Sequence, residues 1–96
     1  MTTIVETDAF IMRTDFRVRV AADFEPGDPD TGIARGWIIE EIKLIGLQTV
    51  DDGLILFRTP AEISPNALKQ SEYDNLCDTF ERIAEGERVP GTEVLL

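Results

Sequence analysis

Apolar and polar residues alternate along Ala9 to Phe24, AFIMRTDFRVRVAADF. Phe10, Met12, Phe16, Val18, Val20, Ala22 and Phe24 share one parity, with Thr14 among them. Arg13, Asp15, Arg17, Arg19 and Asp23 share the other, with Ile11 and Ala21. Successive side chains of a strand point to opposite faces, so the pattern predicts a strand over 9–24 with one apolar and one charged face. A helix of the same sequence would scatter the phenylalanines around its circumference. Residues 1–8 are polar and read as a frayed terminus, although Ile4 and Val5 could extend an edge.

Glu25-Pro26-Gly27-Asp28 stops the alternation. Proline at the second turn position and glycine at the third is a type II signature. The punctuation continues through Asp30 and Gly32, so 25–36 reads as a long acidic loop. A second strand over 37–50 has a mixed pattern: Trp37, Ile39, Ile45 and Leu47 share one parity, Ile38, Ile42 and Leu44 the other. That requires either a phase-shifting bulge near Lys43 or a strand covered on both faces, and Gly46 marks a candidate bend.

Asp52-Gly53 between apolar runs signals a hairpin into a third strand over 54–58, stopped by Pro60. A three-residue loop with Gly53 left-handed would set Val50 opposite Leu54 and Leu47 opposite Phe57. Ser64-Pro65 fits a cap and first helical position. Ser71 followed by Asp74 marks a capping box for a helix over 72–85, with Tyr73, Leu76, Phe80, Ile83 and Ala84 in one apolar stripe and Gly86 as its stop. The tail 89–96 is either loose or a further short strand.

Strands followed by a helix predict an α+β domain, an antiparallel meander of three or four strands with a C-terminal amphipathic helix across one face. The strand order is open, since the 9–24 strand could pair with either of the other two. The stripe is expected to cover the face carrying Phe16, where truncation to alanine would cost about 3–5 kcal/mol at the centre of a core.

Length and composition change this picture little: 96 residues, 43% apolar and 29% charged, make one globular domain. The charge adds more. Nineteen acidic residues against nine basic ones give −10, which disfavours direct nucleic-acid or anionic-membrane binding. The single cysteine, Cys77, rules out an internal disulfide and suits a reducing compartment. With no signal-like start and no membrane-length apolar run, the chain is expected in the cytoplasm.

Candidate chemistry is sparse. The chain has no histidine, Ser64 and Ser71 are explained as caps, and GIARG at 32–36 leads into a strand rather than a phosphate-holding helix. Cys77, beside the helix stripe and flanked by acids, is expected to keep a raised pKa and a packing role. Asp23, Glu25, Asp28 and Asp30 gather carboxylates without an EF-hand spacing. Glu40 and Glu41 point to opposite faces and are expected to pair with Arg17 or Arg19. No catalytic residue, cofactor or metal is therefore assigned, and the chain is read as a non-enzyme.

Two features point to a protein partner. Arg13, Arg17 and Arg19 form a row on the open face, without interleaved aromatics for stacking on bases. Trp37 and Ile39 could emerge on a face that one helix leaves bare. The expectation is an acidic protein that acts by protein–protein binding, as a homodimer, through Trp37, Ile39, Arg13, Arg17 and Arg19. The alternative is an acidic mimic of nucleic-acid charge, using Glu72, Asp74, Asp78, Glu81 and Glu85 with loop residues Asp28 and Asp30.

Overall fold

A computed structural model describes residues 2–28, 30, 32 and 36–96. Five strands form one antiparallel sheet: β1 (Thr2–Ile11), β2 (Thr14–Glu25), β3 (Gly36–Gln48), β4 (Leu54–Ile63) and β5 (Glu93–Val94). A 3₁₀ turn at Pro65–Ala67 and one helix, α1 (Gln70–Ala84), separate β4 from β5. The strand order is β4-β3-β2-β1-β5: four strands meander, and the tail returns to the far edge beside β1. The α+β class and the helix-covered antiparallel sheet are as the alternation predicts.

The first strand is where the sequence reading fails. Residues 9–24 are not one strand but the middle of a hairpin, folded at Met12 and Arg13 (φ 53° and 60°). Both central residues of a two-residue hairpin turn of this hand need positive φ, for which Asn-Gly is the usual choice and Met-Arg gives no warning. The fold reverses the parity before the turn. Ala9 pairs with Phe16 and Thr7 with Val18, so Val5, Thr7 and Ile11 enter the core while Phe10 and Met12 are 63% and 54% exposed. Residues 2–8 therefore belong to a strand paired along its length with β2, not to a frayed end, and Val5 supplies an apolar partner for Val20.

The mixed parity of β3 resolves into bulges. Its register against β2 shifts between Glu41 and Ile39 and again between Gly46 and Leu44, on either side of Lys43. Each extra residue resets the phase, so Ile39, Ile42, Leu44 and Leu47 all reach the helix-covered face. A Cβ on Gly46 would lie 2.9 Å from the Ile55 carbonyl oxygen, so glycine is required there by close approach.

The core joins Val5, Ile11, Val18, Val20, Ala22, Ile39, Ile42 and Leu44 of the sheet to Leu76 and Phe80 of α1. Burying each large side chain of this set contributes about 1.5–3 kcal/mol. Phe80, 1% exposed, is its centre; Phe16 is only half-buried, packed edge-on to Phe57 at its margin. The helix begins before Ser71. Lys69 is the N-cap and its N–H donates to Glu72 Oε1 at 2.8 Å, while Glu72 Oε2 accepts the Met12 N–H at 3.2 Å. One carboxylate thus closes the first turn of the helix and pins it to the β1–β2 hairpin. Asp74, expected in the capping box, instead accepts from Gln70 Nε2.

Gly27 has the positive φ (79°) of the expected turn. Within the predicted loop, Pro29, Thr31 and residues 33–35 lie outside the described residues. Ser64 caps the 3₁₀ turn by accepting the Asn66 N–H.

Candidate functional site

Leu54-Ile55-Leu56-Phe57 places four apolar residues in succession, a composition suited to a strand covered on both faces. The fold puts it on β4, at the edge of the sheet. Among the described residues no strand pairs with its outer side. Leu54, Ile55 and Leu56 are 45%, 56% and 67% exposed, and Val50, in the preceding turn, is fully exposed. Phe57 alone of the four turns inward, toward Phe16.

The turn before β4 sets what this edge presents. Thr49 N–H donates to the Gly53 carbonyl (2.9 Å), Thr49 Oγ1 accepts the Gly53 N–H (3.0 Å), and Asp52 N–H donates to the Thr49 carbonyl (3.2 Å). Asp52, not Gly53, takes the left-handed conformation (φ 60°). A side chain on Gly53 would meet Thr49 Oγ1 at 2.7 Å, so its glycine serves space rather than φ. The resulting register pairs Gln48 with Leu54 and Leu47 with Ile55, two residues from the expected pairing of Leu47 with Phe57.

Ile55 therefore lies on the helix side of the sheet and Leu54 and Leu56 on the opposite side, Leu54 folded over Gly46. Further along, the β3–β4 register slips between Gly46–Leu56 and Leu44–Ala61, and Pro60 falls within the slipped segment. Proline offers no N–H, so it blunts the second half of this edge. The first half carries no such guard.

The five residues expected at a partner surface do not gather there. Ile39 is buried under α1, its N–H donating to the Tyr73 hydroxyl at 3.1 Å. Trp37 lies on the same covered side, stacked on Phe80 and tilted against Phe24, each at 5.2 Å, with its indole N–H on Glu81 (3.0 Å). Arg17 and Arg19 lie on the opposite face and Arg13 at the hairpin tip.

Arg17 donates to Glu6 (3.2 Å), to Asp8 (2.8 Å) and to the Gly91 carbonyl, and Arg19 reaches Glu6 at 3.5 Å. The expected pairing of these arginines with Glu40 or Glu41 is replaced, because β1 supplies Glu6 and Asp8 directly beside them. Glu41 meets Lys43 instead, at 3.0 Å. Glu40, displaced by the β3 bulge, shares a hydrogen bond with Asp23. That bond holds the Glu40 carboxyl above its ordinary pKa and, with Thr2, holds Asp23 below its own. The Cys77 thiol, 3.5 Å from the Trp37 carbonyl, is pushed up by burial and by Asp74.

Phe10 and Met12 expose a second apolar spot at the hairpin tip. A groove of about 310 Å³ beside it runs between β1 and α1, lined by Phe10, Lys69, Glu72, Asn75 and Leu76. Of its acidic members, Glu72 is held by the helix cap and the hairpin, and Asp8 by Arg17. Among the described residues no cluster of acidic and cysteine side chains is arranged to hold a metal ion, and no helix is long and apolar enough to cross a membrane. Comparison with protein-family models, curated proteins and solved structures gives no match.

Proposed function

We propose that this is a non-enzymatic protein that acts by protein–protein binding through the outer edge of β4, and that its partner is a second copy of the chain. The observation that carries the reading is the exposure of Leu54, Ile55 and Leu56 on a strand whose outer side pairs with no strand among the described residues. Such an edge is a template for another strand, and soluble proteins ordinarily blunt or cover it. A small domain gains most from self-association, since burial against a copy adds to a limited core.

Sedimentation equilibrium at about 100 µM tests this, because mass action favours the dimer as concentration rises. A mass of twice 10.7 kDa is expected, and a monomer would refute the self-association reading.

The charge-mimic reading draws less support. Of its helix residues, Glu72, Asp74 and Glu81 already accept hydrogen bonds from Lys69, Gln70 and Trp37 within the fold. Ionic strength separates the two readings: an interface of leucine and isoleucine changes little with salt, whereas mimicry weakens steeply.

A further inference from the structure

We infer that two copies join their β4 strands antiparallel about a two-fold axis at Ile55, so that Leu54 of each chain faces the partner's Leu56. This rests on the reading of β4 as a self-association surface and adds its register.

The alternation of main-chain groups supplies the first constraint. Thr49 and Gly53 are bonded across the turn, so the next bonded pair of the ladder is Leu47 with Ile55. The N–H and C=O groups of Leu54 and Leu56 therefore point away from β3, into open solvent. A pairing between copies must match outward residues with outward residues, which leaves three symmetric registers around the exposed segment.

Chemistry separates the three. An axis at Leu54 would set Leu56 against Asp52 of the other copy, an apolar side chain against a carboxylate. An axis at Leu56 would set Leu54 against the charged Arg58 and draw the slipped segment around Pro60, which has no N–H to give, into the pairing. The axis at Ile55 sets leucine against leucine twice on the open face and isoleucine against isoleucine on the helix side. Beyond the leucines, where the ladder gives way to the turn on one chain and to the slipped segment on the other, it brings the exposed carboxylate of Asp52 near the partner's exposed Arg58. Opposite charges brought together across the pairing favour that alignment over its neighbours. The pairing is isologous and closes on two chains, joining two five-stranded sheets into one of ten strands.

Cysteine cross-linking tests the register. Ile55 would occupy a non-hydrogen-bonded site on the axis, where facing Cα atoms lie about 4.5 Å apart, within disulfide reach. In a Cys77→Ala background, Ile55→Cys is expected to form an interchain disulfide in most of the protein on mild oxidation, and Leu54→Cys, two residues off its own copy, is expected to form little. Ile55 is more than half exposed, so the substitution leaves the fold intact. Efficient cross-linking of Leu54→Cys, or of neither variant while the wild type sediments as a dimer, would overturn the register and leave self-association standing. A monomeric wild type would overturn both, and would reserve the edge for a strand from a different protein.

Discussion

A methyl group on Gly46 would meet the Ile55 carbonyl oxygen and Leu54 Cδ1, both at 2.9 Å. The side chain could turn aside, but the carbonyl is main chain. Gly46→Ala is therefore expected to lower stability by about 1–3 kcal/mol in urea unfolding, the usual cost of forcing atoms into a packed site. The two core phenylalanines should separate in the same assay: Phe80→Ala costs about 3–5 kcal/mol, and Phe16→Ala distinctly less, because Phe16 sits at the margin. The Asp23–Glu40 pair has its own signature. Glu40, raised above its ordinary 4.5, contributes stability that is full below that value and is lost as pH rises through its folded pKa. Asp23, lowered from 3.8, contributes stability that is full above that value and is lost as pH falls. Glu40→Gln keeps a donor for Asp23 at every pH, so it is expected to melt higher than wild type at neutral pH and to gain less on acidification toward pH 5, followed by circular dichroism.

Among the elements, the β1–β2 hairpin divides what the sequence discloses from what it hides. From Phe16 to Ala22 the alternation places every residue on the correct face. Before Thr14 it places every residue on the wrong one, because the period of two runs through Met12-Arg13 without a break in composition. The turn is paid for in strain, since neither residue tolerates positive φ as glycine or asparagine does. Replacing Met12-Arg13 by Asn-Gly is expected to stabilise the protein by about 0.5–2 kcal/mol, read as a higher urea midpoint at unchanged slope. In β3 the conflict of parities was itself the signal: bulges at Glu40 and Ile45 are what an apolar set spread over both parities requires when one face is open. The helix stripe was legible for a different reason, since spacings of three and four leave no strand alternative. Its true start was not, because Lys69 is a poor cap and the stabilising group, Glu72, acts from the third position.

For the whole molecule, the binding surface was readable only once the strand order was known. Leu54 to Phe57 reads as buried by composition, and only the order β4-β3-β2-β1-β5 shows that nothing in the described chain lies outside it. Trp37 and Ile39 misled for the converse reason: α1 covers more of the sheet than the apolar stripe alone suggests. Of the arginine row, Arg17 and Arg19 are tied down by Glu6 and Asp8 of β1, and Arg13 is carried off to the hairpin tip. The most direct measurement of β4 self-pairing is amide hydrogen exchange at Leu54 and Leu56, compared at low and high protein concentration. Both amides point to solvent in one chain and to a partner's carbonyl in two. Protection that appears with concentration, at these two residues and not at the Val50 turn, is the predicted result; fast exchange of both at concentrations where the protein sediments as a dimer would contradict it.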